Sequence, residues 1–215
     1  MRNILILIFA GLLSFGAAGQ KPITLDDIFQ KRTFASKSIH GLKSMNDGIH
    51  YTVAENGSQV VRYSYQTGQK VSVVFDLKTV KDAPINRFSH YEFSNDETKI
   101  LLTTDVEQIY RHSFTASYYI WNSVTEELLP LSEKGKQQLA TFSPDGERVA
   151  FVRNNNLFVK SLRFGTESQV TYDGEKNRII NGAPDWVYEE EFGFNKAFAW
   201  SPDSKFLAFI RFDES

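Results

Sequence analysis

The chain has 215 residues with 24 basic and 26 acidic side chains, and this net charge of -2 argues against a nucleic-acid partner. It contains no cysteine, which excludes a disulfide scaffold, a thiolate metal site and a cysteine nucleophile. The four scattered histidines exclude little, but none of them pairs at the H-x-x-x-H spacing of a metal site, and we assign no metal or cofactor from the sequence. Aromatic residues reach 14%, a composition that favours strands over helices.

Residues 1–19 have the pattern of a secretory signal peptide. Arg2 supplies the positive start, an apolar run follows from Ile4 to Phe15, and small residues then lead to Gly19. The run is shorter than the roughly 20 residues of a membrane span, so we expect cleavage after residue 18 or 19 rather than anchoring. The sequence therefore predicts an exported protein, periplasmic or secreted.

Residues 20–40 form a separate N-terminal segment with a short helical pattern. Thr24 is a candidate N-cap, and Leu25, Ile28 and Phe29 would share one face of the helix.

A tight turn followed by an alternating strand repeats along the rest of the chain. The turn aspartates are separated by 49, 49 and 58 residues, and they are Asp47, Asp96, Asp145 and Asp203. Asn or Pro before Asp, with Gly or Ser nearby, is typical of a tight turn. Further short strands are predicted between the repeats, at 60–65, 118–121 and 157–162.

Several strands in each period of 40 to 50 residues indicate the blades of a β-propeller. The fold class is therefore all-β, and residues 41–215 hold about three and a half blades of an incomplete propeller. A β-sandwich with coincidental turns is the alternative, which two equal spacings disfavour, and the strand patterns exclude a helical solenoid. Because the last repeat stops after one strand, we expect the chain to be a fragment of a longer protein.

Two segments lengthen the repeat, and lengthened loops on a rigid scaffold are where binding residues concentrate. The first segment is 108–114, which contains Arg111. A guanidinium there is either a surface cation, a salt-bridge partner or a planar donor to a carbonyl or carboxylate. The second is 181–192, where Asp185 is a candidate N-cap for a short helix and Trp186 and Tyr188 would anchor it.

Three carboxylates follow in that second segment, at Glu189, Glu190 and Glu191. One interpretation is a solvated helix start, where the helix dipole favours acidic side chains. The other is a site for a cation, because two adjacent fixed carboxylates repel each other. A metal ion, an arginine of the same chain or an ammonium ligand would each relieve that repulsion. Together with Arg111, the carboxylates suit a ligand that carries an ammonium beside a carbonyl, as a free peptide N-terminus does.

The sequences DWVYEEE at 185–191, YRHS at 110–113 and TAS at 115–117 resemble the dipeptidyl peptidase IV family, in particular its exported bacterial members. The resemblance covers residues 22–215. It implies the N-terminal part of an eight-bladed propeller that stacks on an α/β-hydrolase domain. The segment 20–40 would pack on that hydrolase domain, which lies outside this sequence.

The resemblance also implies a serine exopeptidase that releases X-Pro and X-Ala dipeptides. Glu190 and Glu191 would bind the substrate's α-ammonium, Arg111 would hold the carbonyl of its second residue, and Glu189 would be structural. The partner is then a peptide that has a free N-terminus and Pro or Ala at its second position. Whether the full-length enzyme is a homodimer is left open.

The sequence contains no G-x-S-x-G elbow and none of the family's catalytic Ser, Asp and His, so we expect no catalytic residue here and no activity from these 215 residues alone. Phe192-Gly193-Phe194 departs from the mammalian pattern and leaves the pocket for the second side chain undefined. Two other functions stay open: a TolB-like periplasmic propeller that binds proteins, and a catalytically inactive relative of the peptidase.

Overall fold

The computed structural model describes residues 22–36, 38 and 40–215, which fall into an N-terminal unit up to residue 39 and a second unit from His40. The predicted signal peptide lies outside the described residues. None of the helices in the described part is long and apolar enough to cross a membrane.

The N-terminal unit contains helix α1 (Leu25–Phe29), which begins with the predicted cap. The Thr24 hydroxyl accepts a hydrogen bond from the Asp27 N–H at 3.2 Å, and the Asp27 carboxylate accepts one from the Thr24 N–H at 3.1 Å. This reciprocal capping box satisfies two N–H groups that a helix start otherwise leaves open. The face predicted from Leu25, Ile28 and Phe29 is exposed.

The second unit contains three four-stranded antiparallel sheets, each with its strands in chain order, which we call blades 1, 2 and 3. Blade 1 consists of β1 (Lys43–Ser44), β2 (His50–Glu55), β3 (Gln59–Ser64) and β4 (Lys70–Asp76), followed by a 3-10 turn, Leu77–Thr79. Blade 2 consists of β5 (His90–Phe93), β6 (Lys99–Gln108), β7 (Phe114–Asn122) and β8 (Glu127–Pro130). Blade 3 consists of β9 (Gln138–Phe142), β10 (Arg148–Arg153), β11 (Asn156–Ser161) and β12 (Glu167–Gln169).

The last part of the chain forms two antiparallel strand pairs and one helix. The elements are β13 (Ile179–Asn181), α2 (Trp186–Phe192), β14 (Phe198–Trp200), β15 (Leu207–Phe209) and β16 (Arg211–Asp213). β13 pairs with β16, and β14 pairs with β15. Three complete sheets and two strand pairs confirm the prediction of a partial propeller.

Apolar side chains cover both faces of the central sheets, because each blade lies between two neighbours. In β6, Ile100 and Leu102 pack against blade 1, whereas Leu101 between them packs against blade 3. In β10, Phe151 faces blade 2, and Val152 packs with Phe198 of β14. Successive strand residues point to opposite faces, so a strand that is covered on both sides is apolar at every position.

The four turn aspartates lie between the first and second strands of their sheets, as the repeat predicted. Asp145 is representative: it accepts a hydrogen bond from the Ser143 hydroxyl at 2.5 Å and from the Glu147 N–H at 3.0 Å. Burial raises the pKa of Asp145, but these hydrogen bonds and the nearby Arg148 lower it by more. The pKa of Asp145 therefore lies below its ordinary value. In three of the four turns a Ser-x-Asp sequence therefore supplies a side-chain cap, with serines 94, 143 and 201, whereas Met45 stands in the serine position before Asp47.

We expect Asp145→Ala to destabilise the protein by about 1 kcal/mol, since the turn loses its acceptor while Ser143 stays buried. The melting temperature should fall by about 2–4 °C. Differential scanning calorimetry measures this, with the exposed Glu133→Ala as the control that removes a carboxylate outside the turn. Equal melting temperatures for both variants would contradict the assigned cap.

The equivalent turns of successive sheets are bonded to one another, and we call this series the turn chain. The Asn46 side chain donates to the Asn95 carbonyl at 2.6 Å, and the Asn46 N–H donates to Glu97 at 2.6 Å. Further along, the Asp145 N–H donates to the Ser204 hydroxyl at 2.9 Å. Partners in the first of these bonds are 49 residues apart, one repeat.

Candidate functional site

The second hairpin of blade 2 projects beyond its sheet, and this projection explains the first lengthened segment. β6 has ten residues and β7 has nine, whereas β2 and β3 have six each. The register shifts between Thr104 and Glu107, where β6 carries one extra residue. Asp105 in this bulge has φ of 52°, the left-handed region. A bulge bends its strand, so the hairpin from 104 to 117, which we call the arm, leaves the plane of the blade.

The tip of the arm carries Arg111 in a tightly hydrogen-bonded loop. The N–H groups of Ile109 and Tyr110 both donate to the Ser113 carbonyl, at 2.9 and 3.2 Å. The Gln108 side-chain amide donates to the Tyr110 and Arg111 carbonyls, at 2.5 and 3.1 Å. The loop backbone is fixed while the Arg111 side chain stays 70% exposed.

Helix α2 begins at the N-cap that the sequence predicted, and a left-handed glycine ends it. The Asp185 carboxylate accepts the Tyr188 N–H at 2.8 Å, which makes Asp185 the N-cap, and Gly193 with φ of 70° ends the helix. Tyr188 packs its ring 4.9 Å from that of Phe212. The expectation that Trp186 also anchors the helix is wrong, because Trp186 is 54% exposed.

Glu189 joins the helix to the arm. Its carboxylate is buried, and Oε1 accepts the backbone N–H groups of His112 at 2.6 Å and Ser113 at 3.1 Å. Asn195 adds a bond from its side-chain amide to the His112 carbonyl at 3.1 Å. Burial raises the pKa of Glu189, but the bonds from Ser113 and His112 outweigh it and the pKa is lowered. Glu189 is thus ionised and holds the tip in place.

The structure brings Arg111 and Glu190 together. The guanidinium Nη2 lies 3.2 Å from Glu190 Oε2, and the Glu190 side chain is 20% exposed. Of the cations that the sequence left open, an arginine of the same chain is therefore the partner of this carboxylate. Glu191, the next residue, is exposed and has no ion-pair partner among the described residues. Arg111, Glu190 and Glu191 together carry a net negative charge, and the guanidinium of Arg111 is a planar donor.

A cavity of about 630 Å³ opens beside the arm and was not foreseen from the sequence. Its walls come from the arm, the β10–β11 hairpin and the start of α2, and include Tyr110, Ser113, Asn154, Asn155, Trp186 and Asn195. Asn154 and Asn155 have φ of 48° and 58°. Two asparagines in the left-handed region are typical of a two-residue hairpin turn, and this was the available sequence signal.

No three His, Asp or Glu side chains in the described part of the chain are grouped so that they could hold a metal ion.

Comparison with known proteins identifies the family. A model of the dipeptidyl peptidase IV N-terminal region matches residues 94–215, more than half of the chain. The chain belongs to the dipeptidyl peptidase IV family. The crystal structure of Porphyromonas gingivalis dipeptidyl peptidase 4 is similar, with 46% identity, a TM-score of 0.81 and coverage of 92% of this chain and 28% of that one.

Two further relatives extend the match toward the N-terminus of this dipeptidyl peptidase IV family chain. A probable dipeptidyl peptidase 4 of Emericella nidulans is 36% identical over 93% of this chain and 25% of its own length. The human prolyl endopeptidase FAP is 33% identical over 91% of this chain and 25% of its own length. The chain thus spans about a quarter of the length of these relatives.

Proposed function

We propose that this chain supplies substrate recognition to an exported serine exopeptidase that removes X-Pro and X-Ala dipeptides from peptide N-termini. The observation that carries the proposal is the ion pair between Arg111 on the arm and Glu190 on α2, with the unpaired carboxylate of Glu191 adjacent. Family membership supports the reaction class. The nucleophile, base and acid would come from the remainder of a longer chain, so this segment would bind substrate without cleaving it.

A peptide α-ammonium fits these groups chemically. It has three N–H donors, and two carboxylates can accept them in charge-assisted hydrogen bonds. Its ordinary pKa of about 7.7–8.0 keeps it mostly charged at neutral pH. Arg111 can donate to a carbonyl of the same peptide while it retains its bond to Glu190, because a guanidinium has five donors. Fixing the N-terminus of the peptide and its next carbonyl determines which peptide bond lies at the nucleophile. The free energy of binding is in this way used to orient the substrate.

The TolB-like binding module, the alternative from sequence, needs neither the arm nor its bonds to α2. The link through Glu189, which fixes Arg111 relative to Glu190, favours the peptidase. An inactive relative would keep the same recognition groups. Reading the source gene beyond the codon for Ser215 separates these cases, since an active enzyme requires a G-x-S-x-G elbow followed by Asp and His.

The full-length enzyme should cleave Gly-Pro-p-nitroanilide and discriminate strongly against the N-acetylated substrate. Acetylation removes the charge and two of the three donors, so kcat/KM should fall at least tenfold, corresponding to about 1.4 kcal/mol or more. Steady-state kinetics with both substrates measures this, and the purified 215-residue chain serves as the control without activity. Comparable turnover of the two substrates would contradict ammonium recognition.

A further inference from the structure

Lys136 lies in the loop between β8 and β9 and binds the base of the arm. Its Nζ lies 3.0 Å from Asp105 Oδ2 and 2.8 Å from Glu107 Oε1. It also donates to the Asp105 carbonyl at 2.7 Å. All three ammonium donors therefore have acceptors, and the Lys136 side chain is only 21% exposed.

The three acceptors belong to the bulge that bends the arm. Asp105 is a non-glycine residue with φ of 52°, and it lies within the register shift of the strand. Residues in the left-handed region persist only where their surroundings hold them. Without a cation between them, the carboxylates of Asp105 and Glu107 would repel each other at the same bend. The pKa of Lys136 is raised above its ordinary value by its bonds to Glu107 and Asp105.

The same loop also pairs with the arm through its backbone. Ala116 and Gln137 exchange two N–H to carbonyl bonds of 2.8 Å each. The arm is thus held twice: at its base by the loop of Lys136 and at its tip by Glu189. The tip bonds join the arm to α2, whereas the base bonds join it to the loop before β9. Arg111, which lies 3.2 Å from Glu190, belongs to the hairpin that these two anchors hold.

We propose that Lys136 is a positioning residue for recognition of the substrate N-terminus. It fixes the bend of the arm, and the bend places Arg111 beside Glu190. Lys136 contacts the arm's acidic base rather than the substrate groups, so it acts through Arg111. The inference rests on the proposed function and adds a residue that neither the motif at 185–191 nor the motif at 110–113 contains.

In the full-length enzyme, Lys136→Met should raise KM for Gly-Pro-p-nitroanilide about three- to tenfold while kcat changes less than twofold. The range is modest because Asp105 and Glu107 are mostly exposed, and exposed ion pairs contribute little. A rise in KM alone is the sign of lost ground-state binding. Lys136→Arg keeps the charge and several donors and should restore most of the KM.

Hydrogen exchange supplies a readout that does not depend on activity. Amides of residues 104–117 should exchange faster in Lys136→Met, whereas those of the blade 3 strands should not change. Lys81→Met, an exposed lysine outside the arm, is the matched control and should change neither exchange nor KM.

Three outcomes overturn the inference: an unchanged KM, unchanged exchange in the arm, or a parallel loss of kcat and melting temperature that arginine does not rescue. Wild-type enzyme that fails to discriminate against the acetylated substrate rejects the proposed function instead. In that case faster exchange in the arm still shows that Lys136 fixes the bend, and unchanged exchange rejects this as well.

Discussion

Replacing Glu190 and Glu191 together by glutamine should lower kcat/KM of the full-length enzyme for Gly-Pro-p-nitroanilide about 1,000-fold. Each charge-assisted hydrogen bond contributes about 1.5–3 kcal/mol, so loss of two such bonds removes roughly 4 kcal/mol of transition-state binding. Glutamine keeps the shape of both side chains but removes the charges that an ammonium requires. The Arg111 guanidinium also loses its ion-pair partner.

Steady-state kinetics of the double variant and of both single variants measures this effect. The chain offers a control of equal charge in Glu126 and Glu127, two adjacent exposed glutamates where β8 begins. Glu126→Gln with Glu127→Gln removes the same total charge and should leave kcat/KM within twofold. Similar losses in both double variants would mean that net charge, and not a specific site, attracts the substrate.

Glu167→Gln should destabilise the protein by about 3 kcal/mol, because it breaks a buried ion pair and leaves a guanidinium without its counter-charge. Arg153 Nη2 donates to Glu167 Oε1 at 2.7 Å, and both side chains are less than 10% exposed. Ser132 donates to the other carboxylate oxygen at 2.5 Å. For a chain of this size the melting temperature should fall by about 6–12 °C.

The effect has a defined pH dependence. Burial raises the pKa of Glu167, but the bonds from Arg153 and Ser132 lower it to about 2, from an ordinary value of 4.5. A lowered carboxyl pKa stabilises the fold fully above the ordinary value, and this contribution is lost as the pH falls toward the folded-state value. The gap in melting temperature between wild type and Glu167→Gln should therefore be constant above pH 5 and shrink between about pH 4.5 and 2.

Calorimetry across this pH range tests both statements. Arg153→Met combined with Glu167→Leu is the control, because a buried ion pair that is replaced as a unit is often nearly neutral. This double variant should melt above Glu167→Gln at neutral pH. A gap that stays constant down to pH 2 would contradict the role assigned to the carboxylate.

The local features of the candidate site could be predicted from sequence because each depends on neighbours within a few residues. Asp185 caps α2 through the Tyr188 N–H three residues later, and Asp145 caps its turn through Glu147. The period of 49 residues predicted the blades for the same reason, since every copy repeats one local turn. The lengthened segments 108–114 and 181–192 indicated the positions of the arm and of α2.

The contacts that fix the site join residues far apart in the chain, so no local sequence pattern predicts them. Glu189 meets His112 across 77 positions, and Lys136 meets the Asp105 carbonyl across 31. The exposure of Trp186 was also missed, because its aromatic character suggested burial while its position facing the cavity depends on loops of other blades. The roles of Glu190, Glu191 and Arg111 in substrate binding remain predictions, although the pairing of two of them is established.

The turn chain has a consequence for how this molecule can diversify. In an up-and-down sheet, the turn between strands one and two and the turn between strands two and three lie at opposite ends. Asn46, Asn95 and Ser204 therefore tie the blades together at one end, and that end cannot tolerate added length without losing its inter-blade bonds. The arm and α2 both grow from the other end. Inter-blade bonds thus constrain loop length at one end of the blades, while insertions at the opposite end can add binding residues and leave those bonds intact.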